Sequence, residues 1–183
     1  MIDYWRDLET GSNPPDLIYA VIETAKGKEN KYEYDARKKA IMLDRVLYSA
    51  MHYPGDYGFI PRTLDEDGDP LDILVLVSSP TFPGCIMTVR PVGLLKMLDG
   101  GKEDDKILAV PENDPRYKSY HDIASLPQHI LQEIAYMFET YKVLEGKVTK
   151  VLGWSDVEAA KRTIVRCQQT YKNAENVTQS QTK

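Results

Sequence analysis

Five carboxylates, Asp65, Glu66, Asp67, Asp69 and Asp72, stand within the eight residues DEDGDPLD, and the chain then runs directly into the apolar stretch ILVLVS. Neighbouring like charges repel by about 1 kcal/mol per pair even at a water-like dielectric, and by more beside a protein interior. No Lys or Arg lies among them. Compensation must therefore come from elsewhere in the fold or from a bound ion, and an all-oxygen donor set suits a hard divalent cation. A solvated turn is the alternative, since Asp, Gly and Pro each favour turns. A calcium EF-hand does not fit: counting from Asp65, the place that needs Gly holds Pro70 and the place that needs Glu holds Leu76.

If the ion is Mg2+, part of its octahedron is left for water and substrate phosphate, so phosphate-binding cations are expected elsewhere in the chain. A second acidic segment, DGGKEDDK at 99–106, puts Asp99, Glu103, Asp104 and Asp105 beside Lys102 and Lys106; it reads equally as a mixed-charge surface loop. Arg45 sits inside the apolar run IMLDRVL, where a charge needs a partner or ligand unless strand alternation turns it outward. Tyr53 and Tyr57 fall in the turn-rich HYPGDYGFIP, as phenols that could donate to phosphate or simply pack. Tyr141 and Lys142 adjoin on a helical stripe, where packing and solvation are their default roles.

The elements that must position these residues are mostly strands, then helices. Residues 17–25, 41–47 and 73–77 are short and rich in β-formers, and KYEYD alternates so that Lys31, Glu33 and Asp35 share one face and Tyr32 and Tyr34 the other. TVRPVGLLKM at 88–97 is a further strand, kinked by Pro91 and Gly93. From Ser125 the period changes. Ser125 and Gln128 form a capping-box pair ahead of Ile130, Ile134, Met137, Phe138 and Tyr141. A second amphipathic helix is expected from Ser155, with Glu158 in its first turn and Val157, Ala160, Ile164, Cys167 and Tyr171 on one stripe. Many short strands punctuated by Pro and Gly suggest a barrel, with the two helices packed on it.

The chain has 183 residues, 42% hydrophobic and 28% charged, which suits one ordinary globular domain over 1–172. Residues 173–183 are almost wholly polar and are expected to form a disordered tail. A net charge of −5 argues against a nucleic-acid binder, which needs a basic track to neutralise phosphates. Cys85 and Cys167 fit no metal spacing and read as free thiols. With no signal-peptide pattern and no run long enough to span a bilayer, the expected setting is the cytoplasm, without membrane partners.

Taken in order along the chain, these segments resemble the soluble family I inorganic pyrophosphatases of the short, bacterial type. The family's Asp-x-Asp-Pro-x-Asp signature is matched by Asp67-Gly68-Asp69-Pro70-Leu71-Asp72. Around it stand VIE at 21–23, KYEYD at 31–35, DRVLYSAMHYPGDYGFIP at 44–61, RPVGLLKMLD at 90–99, EDDKILAVP at 103–111 and FETYK at 138–142. The resemblance implies an α+β fold, mainly β, with a five-stranded OB-like barrel and flanking helices. It also implies Mg2+-dependent hydrolysis of diphosphate by a metal-bridged water attacking in line, with Mn2+ as a possible substitute, in a homohexamer.

Carried over residue by residue, it gives Asp67, Asp72 and Asp104 to the tighter metal, with Asp72 bridging to a second ion, and Asp99 and Glu33 to further ions. Asp69 becomes the base and Glu23 a supporting residue. Arg45, Tyr141 and Lys142 go to the leaving phosphate, Lys31 and Tyr57 to the phosphoryl group under attack, and Tyr53 and Lys106 to their support. Asp65 and Glu66 fall off the signature and are expected to be solvated. Gly100 stands where many members have an acid, so the weaker metal sites are expected to differ and the Gly100-Gly101 loop to be freer. A non-catalytic acidic cation-binding module is the rival reading, but it leaves Lys31, Arg45 and the Tyr141-Lys142 pair without a purpose.

Overall fold

The computed structural model describes residues 2–181, with side chains described as far as Val177. Nine strands and two α-helices are described: β1 Ile18–Thr24, β2 Asn30–Asp35, β3 Ala40–Val46, β4 Asp56–Phe59, β5 Asp72–Val75, β6 Ile86–Asp99, β7 Lys102–Glu103, β8 Lys106–Pro111, α1 Gln128–Thr140, β9 Thr149–Ser155 and α2 Val157–Gln181. Five of the strands close a ring in the order β1, β4, β5, β8, β6 and back to β1. That is the expected five-stranded barrel. β7 and β9 extend β6 outside the ring, and β2 and β3 form a separate antiparallel hairpin.

Closure depends on the length of β6. Its first residues pair with β1 (Ile18 opposite Val89), its middle with β8, and its end with β9 and β7. The expected kink is present as a register shift between Pro91 and Gly93. Gly93 is required there for another reason: a Cβ would lie 2.0 Å from Ile123 Cγ2. β5, β6 and β8 each serve two cores by alternation, while β1 faces the first and Tyr57 of β4 the second. Ile18, Ile73, Val75 and Ile107 pack with Ala160, Ile164 and Cys167 of α2. Leu74, Leu76, Leu108 and Met97 pack with Ile134, Met137, Phe138 and Tyr141 at the α1 end.

Both helix starts differ from expectation. Asp122 and Ser125 make the capping box on a preceding 3-10 turn, so α1 begins after Pro127 with no side-chain cap. Ser155 ends β9 through its pairing with Leu94, and α2 is capped by Asp156, whose carboxylate accepts from Ala159 N at 2.8 Å. α2 also runs past Tyr171 to Gln181, where disorder was expected. Side-chain bonds one turn apart, Gln169 to Asn173 at 2.9 Å and Tyr171 to Glu175 at 2.7 Å, accompany this extension; residues 182–183 lie outside the described residues. Cys85 and Cys167 are free, as expected. No described helix is long and apolar enough to cross a membrane.

Candidate active site

β4 and β5 are antiparallel neighbours joined by residues 60–71, and this connection carries the acidic run. It is tightly built. Ile60 N donates to Leu71 O at 3.0 Å, Asp65 N to Asp69 O at 2.9 Å, and Asp69 N to the Asp67 carboxylate at 3.0 Å. The loop is also fastened to α2: Leu64 N donates to Cys167 O at 3.0 Å, and Arg166 reaches Asp65 at 3.0 Å and Glu66 at 3.1 Å. Asp65 is thus buried and paired, contrary to the expectation that it is solvated. Burial, with Asp65 adding to it, pushes the Cys167 thiol up to about 12. Asp67 and Asp69 have no ion-pair partner among the described residues.

Beyond the loop, β5 opens with Asp72, and the parallel strand β8 places Lys106 directly beside it. Lys106 is only 2% exposed, and its Nζ donates to Asp72 and to Asp104, each at 2.6 Å. Burial alone would push this ammonium toward neutrality; the two carboxylates more than reverse that and hold its pKa above the ordinary value. Tyr57 of β4 donates its hydroxyl to the same Asp72 oxygen. On the opposite side, the β2–β3 hairpin sets Lys31 across from Arg45, while Glu33 lies two residues on from Lys31 and pairs with it. Asp99 at the end of β6 is engaged by Lys142, which with Tyr141 follows the C-terminus of α1.

These elements enclose a cavity of about 340 Å³ lined by every expected site residue except Lys106 and Tyr53. Lys106 lies behind the floor, and Tyr53, 1% exposed, packs its ring at a tilt with its centroid 5.2 Å from that of Tyr57 and lines a neighbouring, more apolar cavity instead. Sequence reasoning missed Asp44, Tyr34, Phe59 and Pro70 in the lining. Asp105, in the second acidic segment, is buried away from the cavity and accepts from Met97 N at 3.3 Å. Asp44 shares a strand with Arg45, so alternation alone would have set it on the other face; a register shift beside Lys31 disturbs that alternation.

The cavity's electrostatics are those of an anionic floor with a cationic rim. Burial, then Asp67, Asp72 and Glu33, raises the pKa of Asp69, so this carboxylate holds a proton more readily than usual. Glu23, which accepts from Tyr34 N at 2.6 Å, is pushed up to about 8 by burial, with Asp72 adding to the effect. Burial, reinforced by neighbouring carboxylates, also raises the Tyr57 and Tyr141 phenols far above their ordinary value, so both remain hydroxyl donors. Arg45 gives Nε to Glu145 at 2.9 Å and Nη1 to Asp44, while its Nη2 is the one buried side-chain polar atom without a partner among the described residues. An unsatisfied buried donor costs about 1–3 kcal/mol. An anionic oxygen brought to it would recover that cost.

Among the described residues no three His, Cys, Asp or Glu side chains converge closely enough to hold an ion as they stand. Ammonium groups occupy the places between them: Lys106 between Asp72 and Asp104, Lys142 on Asp99, Lys31 on Glu33. The donor set around the cavity, all carboxylate and hydroxyl oxygen, fits a hard divalent cation and offers nothing to a soft one. The turn opposite, Asp99-Gly100-Gly101-Lys102, is a two-residue hairpin with both glycines at positive φ, 57° and 87°. Both glycines satisfy the positive φ that this turn geometry requires.

Residues 20–172 match the family described as "Pyrophosphatase: Inorganic pyrophosphatase". The inorganic pyrophosphatase of Halobacterium salinarum is 55% identical over 172 residues, 93% of this chain and 97% of that protein. That of Halalkalibacterium halodurans is 52% identical, over 86% of this chain and 97% of that protein. The crystal structure of the inorganic pyrophosphatase from Thermus thermophilus superposes with a TM-score of 0.90 at 47% identity, covering 93% of this chain and 99% of that one.

Proposed function

The chain belongs to the inorganic pyrophosphatase family, and from that premise we propose that it hydrolyses inorganic diphosphate to two orthophosphates with the help of divalent cations, Mg2+ in the first place and Mn2+ as a substitute. The observation that carries this reading is a single cavity in which Asp67, Asp69, Asp72, Asp99 and Asp104 face Lys31, Arg45 and Lys142. An acidic cation-binding module has no use for the second set.

Asp67, Asp72 and Asp104 would hold the tighter cation, Asp72 would bridge to another, and Asp99 and Glu33 would take ions arriving with substrate. Bound there, divalent cations lower the pKa of water and neutralise the charge by which diphosphate resists attack. The chain's own residues do the rest. Asp69, whose surroundings favour its protonated form, takes the proton as water attacks in line. Lys31 and Tyr57 orient the phosphoryl group under attack, while Arg45, Tyr141 and Lys142 receive charge as it moves onto the leaving phosphate. Tyr53 supports Tyr57 by tilted ring packing, and Lys106 holds Asp72 and Asp104 in place until cations arrive. Glu23, buried beside the metal-side carboxylates, holds the strand of Tyr34 through its backbone amide.

The catalytic unit is one domain over 1–172, working in the cytoplasm as a homo-oligomer, a hexamer by family likeness. Exposed Leu43, Leu144, Val148 and Leu152 support assembly, since each is more than half accessible in the single chain. The test is phosphate release from diphosphate with Mg2+, with EDTA, and with Asp69→Asn. Rapid Mg2+-dependent release that falls by roughly 100-fold or more in the variant is the expected result. No release from the wild type with either Mg2+ or Mn2+ would leave only the cation-binding module.

A further inference from the structure

The guanidinium of Arg45 is held in a way its own strand cannot explain. Its nearest ionic neighbour in sequence is Asp44, on the Nη1 side, yet the Nε side is fixed by Glu145, one hundred residues away, at 2.9 Å. The Glu145 side chain is only 5% exposed, so the pair is not a casual surface contact. Its position is set by a short 3-10 turn, Val143–Glu145, in which Glu145 N donates to Lys142 O at 3.0 Å. Lys142 itself lines the cavity. One turn thus presents Lys142 to the site and, from its far end, grips the back of Arg45. The second oxygen of Glu145 lies 3.6 Å from the more exposed Lys147.

We propose that Glu145 is a positioning residue for diphosphate hydrolysis, which fixes the Arg45 fork so that Nη2, alone uncommitted, is the donor left for a substrate phosphate oxygen. The inference rests on the diphosphatase reading above. A guanidinium with two of its three nitrogens committed cannot rotate, so the third, buried and unpaired before substrate arrives, is held in one place. Through the same turn, Arg45 and Lys142 keep a fixed separation.

A double-mutant cycle tests this. Phosphate release is measured at saturating Mg2+ for the wild type, Glu145→Gln, Arg45→Ala and the double variant, each checked by thermal melting. Glu145→Gln is expected to lower kcat/KM about tenfold when Arg45 is present and by less than about twofold when it is absent. Equal losses in both backgrounds would mean that Glu145 merely supports the turn, and would overturn the proposal. A gain in kcat/KM with Arg45 present would overturn it too, showing that Glu145 competes with substrate. Should Glu145→Gln not fold, Glu145→Asp, which keeps the charge on a shorter arm, is expected to show the same loss. If the wild type releases no phosphate, the diphosphatase reading falls instead. The aiming of Arg45 is then judged by calorimetric binding of imidodiphosphate across the same four proteins, where additive losses would overturn it.

Discussion

Asp65 and Asp69 stand four residues apart on one loop and are tied to each other by a backbone hydrogen bond, yet they live under opposite electrostatic regimes. Asp65 is buried and answered by Arg166 of α2. Asp69 faces the cavity without an ion-pair partner and is crowded by Asp67, Asp72 and Glu33. The compensated acid fastens the loop so that its uncompensated neighbours can be held together. Within one acidic run, then, Asp65 with its resident cation is structural, while Asp67 and Asp69 without one are left available for a ligand.

Three measurements would break or sharpen that contrast. The largest effect belongs to Asp67→Asn: diphosphatase activity falls by about 100-fold or more, while the metal-free protein melts no lower than wild type, because a repulsion has been removed. A matching loss of stability in EDTA would show that Asp67 is as structural as Asp65. Next comes Asp65→Ala, which leaves Arg166 with Glu66 alone and loses the buried anchor. Unfolding in denaturant should show a loss of roughly 1–2 kcal/mol, at the modest end because Arg166 is 41% exposed. The same loss from Arg166→Ala, and no further loss in the double variant, would confirm a shared interaction; additive losses would refute it.

The last effect, visible only as pH is varied, concerns Glu23, an uncompensated acid that lies buried. Its folded pKa of about 8 stands above the ordinary 4.5, so the contribution of its protonated form is complete below pH 4.5 and is lost as pH rises through 8. In EDTA, the wild type should therefore lose melting temperature steadily across that window relative to Glu23→Gln. Parallel pH profiles for the two proteins would acquit Glu23.

Much of this was legible in the chain because chemistry and local order coincide. The signature Asp67 to Asp72, the alternating Lys31 and Glu33, and the kink at Pro91 and Gly93 are short-range patterns; the structure brings the acidic and basic residues to one cavity and shows the kink as a register shift. What stayed hidden depends on long-range pairing. The partner of Asp65 lies on a helix about a hundred residues on, and the partner of Arg45 on a turn just as far away. β9 was invisible because TKVLGWS has no strict alternation and becomes a strand by pairing with β6. At Ser155 a good capping residue was claimed by that pairing, and Asp156 took the role one residue later. The helix beyond Tyr171 shows that polar composition alone does not deny order to a segment that continues a helix already anchored.

The ring closes only when Ile18–Val21 meets Ile86–Val89. Asp72 and Lys106, on parallel strands within that ring, are 34 residues apart along the chain and become neighbours only through that non-local pairing. Such non-local pairings form late and slowly. A half-folded chain therefore has the acidic motif but not the constellation, and the divalent cations proposed above would find their full set of ligands only in the closed barrel. Binding confined to the native state draws the folding equilibrium toward it. The ions that equip the cavity for chemistry would thus also act as a late checkpoint on folding, so that diphosphate turnover in a refolding mixture counts molecules whose barrels have closed.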